Sequence, residues 1–274
     1  RMNSGRGGGG TDGVSETVYA VVGMTPYYTD AFTTLYHGDC RDLTPPVCAM
    51  TLADPPYGET SLAWDRWPEG WVASITSPSL WCFGSMRMFL RQRDEFAAWK
   101  FAQDLVWEKQ NGSGFHADRF KRVHEGVSQW YRGEWATVYK AVVTTPDALK
   151  KQVRRNRRPP HMGQIDAGAY TSEDGGPRMM RSVLYVRNCH GYAQHPTQKP
   201  LGILRPLIEY SCPPHGTVYV PFVGAGGELL AARELGRKAI GVEIDERFCE
   251  IAANRLRAVA PEMTEMPEVM EVTA

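Results

Sequence analysis

The stretch 217–245, TVYVPFVGAGGELLAARELGRKAIGVEID, constrains the fold more than any other part of the chain. An apolar run ends on Pro221, a small-residue turn follows at Gly224-Ala225-Gly226-Gly227, a helical stretch spans 228–235, and a second apolar run closes on Glu243. Strand, turn, helix and strand in one short stretch belong to an α/β sheet. The same alternation recurs along the chain. Brief apolar runs bounded by Gly, Pro or charge predict strands at 33–37, 48–53, 79–84, 101–107, 217–221 and 238–243. Helices are predicted at 88–100, at 201–210 with a kink at Pro206, at 228–235 and at 246–259. In the last of these Phe248, Ile251, Ala252, Leu256 and Val259 form an apolar stripe interrupted by Arg255. Residues 126–143 alternate as a hairpin would, and 146–188 are rich in Arg, Pro and Gly with no period.

Composition excludes several classes. With 274 residues, 42% hydrophobic and 23% charged, the chain has the make-up of a globular protein with one sizeable core. The longest charge-free stretch, 210–227, holds three prolines and four glycines, so it is no membrane span. Six cysteines without a CxxC pair, several within apolar runs, predict reduced core thiols in a cytoplasmic protein, with neither a disulfide framework nor a zinc site. The charges cancel, 31 basic against 31 acidic, so a polyanion must be met by a local patch. Residues 146–194 supply one, with nine Lys and Arg against four acids. The predicted organisation is a flexible leader at 1–16, one half of an α/β domain at 17–145, a basic insert at 146–194, the other half at 195–260 and an acidic tail at 261–274.

Two segments carry chemistry. Glycines at a strand-to-helix turn let backbone approach a ligand, and an acid about twenty residues later can accept ribose hydroxyls; here Gly224 precedes Glu243 by nineteen positions. That suits an adenosine-type cofactor, although glycine also serves tight turns for backbone reasons alone. The second segment is Asp54-Pro55-Pro56-Tyr57, where an apolar run ends. Two prolines stop the strand, remove two backbone donors and leave carbonyls free to accept. Such acceptors suit an exocyclic amine, and an aromatic ring nearby can stack on a base for about 1–3 kcal/mol. An ordinary proline turn with a surface tyrosine is the plain alternative.

With these residues in view, the sequence resembles the amino-group DNA methyltransferases that use S-adenosylmethionine, over about residues 33–258. The resemblance is carried by DPPY at 54–57, PFVGAG at 221–226, GVEID at 241–245, HPTQKP at 195–200 and HGD at 37–39. The catalytic motif precedes the cofactor motif, as in the circularly permuted beta class. This implies a Rossmann-like sheet with helices on both faces and a small target-recognition insert. It implies that Asp54 and the Pro55 carbonyl accept the target amine's hydrogens, that Pro56 fixes the turn, and that Tyr57 stacks on a base flipped from double-stranded DNA. Glu243 resembles the ribose acid and Asp39 the acceptor for the cofactor's adenine amine. Pro221 and Phe222 pack beside the cofactor, Gly224 and Gly226 give it room, and Thr197 and Lys199 hold its carboxylate. Val220 stands where this group usually has Asp, and Gly227-Glu228 where small hydroxyl residues are usual; Glu228 or Asp54 is expected to take over the ammonium contact. The in-line displacement calls for no metal ion.

The resemblance implies N6-adenine methylation, favoured by Asp rather than Ser before Pro-Pro. N4-cytosine methylation, methylation of RNA or of a protein glutamine, and a non-catalytic DNA-binding relative remain as alternatives, and a restriction-enzyme partner is possible. Lys150, Lys151, Arg154, Arg155, Arg157 and Arg158 are expected to track phosphates, against the alternative of a solvated face. Trp64 and Trp67 are candidates to touch DNA, and His195 is read as structural. Trp107-Glu108-Lys109, Arg119 and His124-Glu125 are read either as bordering the base pocket or as a surface loop.

Overall fold

The computed structural model describes residues 24–44, 47–113, 117–158, 161, 166–191 and 193–259. The predicted leader at 1–16 and tail at 261–274 lie outside the described residues. Among the described residues nine strands form one mixed sheet. Its parallel centre runs, in spatial order, β2 (Thr33–His37), β13 (Lys238–Glu243), β12 (Thr217–Val220), β3 (Met50–Ala53) and β4 (Ser79–Gly84). The antiparallel β1 (Pro26–Thr29) edges β2. Beyond β4 lie β6 (Arg122–Tyr131), antiparallel to it, then β5 (Lys100–Ser113), then β11 (Val183–Tyr185) parallel to β5.

The central strands are buried along almost their whole length, not on alternate residues. That is what parallel strands covered on both faces require, and it is why they read as continuous apolar runs. One cover is α3 (Leu201–Ser211), α4 (Gly227–Glu234) and α5 (Glu246–Ala258). The other is α1 (Trp71–Ser74), α2 (Met86–Arg91) and a 3-10 turn at Arg93–Phe96. The α3 helix runs through Pro206, which removes one backbone donor at about 3 kcal/mol. Ile203, Leu204, Leu207 and Ile208 are each buried on that helix, at about 1.5–3 kcal/mol apiece, and so outweigh the proline.

The structure corrects three sequence expectations. The helix predicted at 88–100 is instead α2 followed by the 3-10 turn: Met88, Phe96 and Trp99 keep helical spacing because two short turns pack on one face before the chain enters β5. The hairpin predicted within 126–143 is formed by β5 and β6, and β6 ends at Tyr131. The aperiodic stretch 146–188 contains short strands: β8 (Lys151–Arg155) pairs with β9 (Gly168–Ser172), β10 (Arg178–Met179) pairs with β7 (Thr144–Thr145), and β11 returns to the main sheet. No helix among the described residues is long and apolar enough to cross a membrane.

Candidate active site

The chain leaves β3 toward β4 on one side and β12 toward β13 on the other, yet β3 and β12 are hydrogen-bonded neighbours. Ligands of open α/β sheets bind where connections diverge in this way, outside the carboxyl ends of the strands. Here the ends of β3 and β12 line one cavity of about 1260 Å³, which takes in Asp54, Pro55, Pro56 and Tyr57 on one side and Pro221, Phe222, Gly224 and Glu243 on the other.

On the β3 side a buried charge cluster has formed. Lys199 Nζ donates to Asp54 Oδ2 at 2.6 Å and to the Thr197 carbonyl at 3.2 Å, and lies 3.1 Å from Glu125 Oε1. The Tyr57 hydroxyl donates to Glu125 Oε1 at 2.6 Å, with Asp54 Oδ1 at 3.1 Å. Lys109 Nζ donates to Glu125 Oε2 at 2.6 Å and sits 4.3 Å above the Trp107 ring. Burial and the neighbouring Glu125 raise the Asp54 carboxyl above its ordinary value, with Lys199 opposing. Burial also pushes Glu125 up, but Lys199 and Lys109 together prevail and hold it at about 2. Lys199 stays charged, because Asp54 and Glu125 raise its pKa against the effect of burial.

On the β12 side, Glu243 at the end of β13 accepts the Gly224 N–H at 2.7 Å and the Asp245 N–H at 2.9 Å. Burial raises its carboxyl and those two N–H groups oppose the rise. Gly224 adopts φ 50°, which only glycine takes without strain, and a Cβ there would meet the His195 ring at 3.5 Å. Phe222 is held edge-on by Trp71, ring centroids 5.0 Å apart. Glu228, in the first turn of α4, lines the same cavity and is 5% exposed. Burial, and then Asp54, push it up to about 7.

Other residues expected at the site fall at the cavity or just outside its lining. Gly226 lies outside the cavity lining; it takes φ 78°, and a Cβ there would come within 2.9 Å of Ala252, so the turn and the close approach to α5 both call for glycine. Lys199 faces three acceptors with its three donors, leaving none for a cofactor carboxylate unless a protein partner lets go. Asp39 reaches the cavity but is held by Arg41, Nη2 to Oδ2 at 2.6 Å. Thr197 is exposed at the cavity, its hydroxyl 3.2 Å from His195 Nδ1. Trp67 packs on Trp71 and Phe96 in the core, whereas Trp64 is 45% exposed beside His195. His195 packs against Phe248, and burial, aided by Lys199, lowers its pKa to about 4, which keeps the imidazole neutral.

The loop after β3 is pinned by Asp65, which accepts the N–H groups of Gly58, Glu59 and Thr60 at 2.8, 3.0 and 2.7 Å. Glu59 is taken by the Ser85 hydroxyl and by Arg122. Lys150, Lys151, Arg154, Arg157 and Arg158 are exposed, on or beside β8, and Arg155 ends that strand. Glu125 and Lys109, left open in the sequence between pocket and surface, sit at the centre of the cluster. The signal was present: Glu125 shares an inward strand face with Val127 and Gln129 at a spacing of two. Among the described residues no group of His, Cys, Asp and Glu is arranged to hold a metal ion, and all six cysteines are buried free thiols.

A permuted Rossmann-like sheet, covered by helices on both faces and opening a crevice at its carboxyl edge, defines the class of fold. The family model N6_N4_Mtase, described as DNA methylase, matches residues 48–254, most of the chain. The chain belongs to this family of DNA methylases and is by family a methyltransferase. It is 40% identical over 147 residues to the putative methylase YubD of Escherichia coli (strain K12), a match covering 51% of this chain and 60% of YubD. It is 24% identical over 281 residues to the Type II methyltransferase M.HinfI of Haemophilus influenzae, covering 87% and 72% of the two chains. Two solved structures share the fold. The complex of M1.HpyAVI with SAM has 19% identity and a TM-score of 0.56, covering 81% of this chain and 99% of that one. The PvuII DNA methyltransferase (cytosine-N4-specific) has 16% identity and a TM-score of 0.58, covering 88% and 92%.

Proposed function

We propose that this chain transfers a methyl group from S-adenosylmethionine to the exocyclic N6 amine of an adenine flipped out of double-stranded DNA. The observation that supports this most is the convergence of Asp54-Pro55-Pro56-Tyr57 and the Gly224 turn on one cavity at the sheet's divergence point. The residues fit the cofactor. Glu243 keeps a lone pair on each oxygen after accepting its two N–H groups, as ribose hydroxyls require. Phe222 and the exposed Ile244 offer apolar faces to a planar ring.

When bound, the cofactor supplies an electrophilic methyl on a sulfonium. The chain supplies the rest. An aromatic amine is a poor nucleophile because its lone pair is delocalised into the ring. Asp54 Oδ1 and the Pro55 carbonyl accept its two hydrogens and favour a tetrahedral nitrogen. Asp54 Oδ1 can serve because its contact to the Tyr57 hydroxyl is the longer one at 3.1 Å and that proton has Glu125 at 2.6 Å as its alternative, while Lys199 takes Oδ2. Tyr57, anchored through its hydroxyl, offers its ring to the base. Holding both reactants in one crevice makes the step effectively unimolecular. In this proposal Asp39 and Thr197 contact the cofactor's two ends, Lys199 holds Asp54 in place, and the basic residues 150–158 track phosphate.

Incubation with methyl-labelled cofactor and unmodified DNA, digestion to nucleosides and identification of the product tests the proposal. Labelled N6-methyldeoxyadenosine is expected. N4-methyldeoxycytidine would move the target to cytosine, and absence of label would leave a non-catalytic DNA-binding relative.

A further inference from the structure

We propose that Glu228 holds the ammonium group of the cofactor's amino-acid arm, so that the charge of one buried carboxyl governs cofactor affinity. This rests on the cofactor reading above and deepens it. Glu228 is 95% buried by exposure of 5%, and it lines the cavity from the first turn of α4. The other acids lining the cavity are already engaged: Asp39 by Arg41, Asp54 by Lys199, Glu125 by Lys109, Glu243 by two backbone N–H groups and Asp245 by Arg247. The two acids of the loop after β3 are taken as described above. Glu228 alone among them makes no ion pair or hydrogen bond to another described residue. Nor does a neighbour neutralise it at contact. Lys199 spends its donors elsewhere, and Arg255 gives a guanidinium N–H to the Ala225 carbonyl.

A buried carboxylate that Lys199 and Arg255 reach only through space, with no cation in contact, is costly, and a cation entering the cavity reduces that cost. The cofactor's covalent structure says which cation. For in-line transfer the sulfur must lie beside Asp54, and Asp54 is the charged group that Glu228 feels most strongly. The ribose leaves that sulfur on one arm toward Glu243, and the amino-acid group leaves it on another, which brings the ammonium to Glu228. Val220, at the end of β12, is wholly buried in the apolar core, so that strand contributes no competing acid.

The charged groups facing Glu228 are Asp54 after β3, Lys199 before α3 and Arg255 on α5. In the free protein the Glu228 carboxyl titrates at about 7, and a bound ammonium lowers it. Binding therefore releases a proton below that pH, and affinity falls as the solution is acidified. The window of pH 6–7.5 lies below the ordinary range of the ligand's own amine, about 7.7–8.0.

Calorimetry with three probes tests the inference. S-adenosylmethionine carries both ammonium and sulfonium, S-adenosylhomocysteine only the ammonium, and 5′-methylthioadenosine neither. Wild-type affinity for the first two is expected to fall about fivefold from pH 7 to pH 6, with release of about half a proton at pH 7 rising toward one at pH 6, while the third is flat. Glu228→Gln should weaken the first two on the order of tenfold at pH 7.5 and abolish their pH dependence. Its unchanged binding of 5′-methylthioadenosine shows that the fold and nucleoside site persist. Equal loss for all three probes, loss for S-adenosylmethionine alone, or no loss would each overturn the inference while leaving the cofactor reading in place. A wild-type protein that bound none of the three would overturn both.

Discussion

The cavity and the basic ribbon are both dense in charge, and they are built in opposite ways. At the cavity, Lys199 is 3% exposed in its side chain and bridges acids from two distant strands, Asp54 after β3 and Glu125 on β6. On the ribbon, Lys150 is 68% exposed and meets Glu173 at 3.3 Å across a two-stranded pair. Both are ion pairs on paper. In the first, neither partner can return to water, so each depends on the other. In the second, water competes and screens, and the pair contributes little. Charge at the cavity is therefore architecture, and charge on the ribbon is available to an external polyanion.

The largest effect that would sharpen this contrast is on stability. Lys199→Met leaves two buried acids without their shared counter-charge and should cost about 3–5 kcal/mol in urea unfolding, whereas Lys150→Met should stay within about 0.5 kcal/mol. Equal losses would erase the distinction. Next in size, Asp54→Ala should lower methyl incorporation on the order of 10²–10³-fold at temperatures where circular dichroism shows the variant still folded, beyond whatever stability is lost with the Lys199 contact. Wild-type rates from that variant would remove Asp54 from the chemistry.

A smaller effect lies in acid. Glu125 is held at about 2 against an ordinary 4.5, so its contribution to stability is full above 4.5 and is lost as pH falls toward 2. Glu125→Gln should flatten unfolding free energy across that window; an unchanged acid limb would mean the lysines do not hold it. Smallest of all, Arg157→Ala should leave stability alone and reduce the slope of log affinity for DNA against log salt by about 0.9, if the ribbon meets phosphate. An unaltered slope would return Arg157 to a solvated face.

What the sequence revealed follows the same division. The strands at 33–37, 79–84 and 238–243 were legible because strands buried on both faces must be apolar throughout. Asp54-Pro55-Pro56-Tyr57 and Gly224 were legible because backbone chemistry, missing donors and a positive φ, admits few residue types. The ion-pair partners were not. That Lys199 meets Asp54, 145 positions away, depends on which strands become neighbours, and no local pattern encodes that. Gly226 shows the same limit. Glycine at a turn reports a close approach without saying to what, and here the neighbour is Ala252 of α5. The helix expected at 88–100 failed because a shared face imitated a shared helix.

Methyl transfer in this chain requires cofactor and base to meet between the ends of β3 and β12. A crystal structure with a non-reactive cofactor analogue and a DNA duplex tests this most directly. The predicted result is a flipped base stacked on Tyr57, its amine about 3–3.5 Å from the position of the transferable methyl, with ribose on Glu243. A cofactor bound outside this cavity, or one bound within it while the base amine lies beyond reach of Asp54, would contradict it.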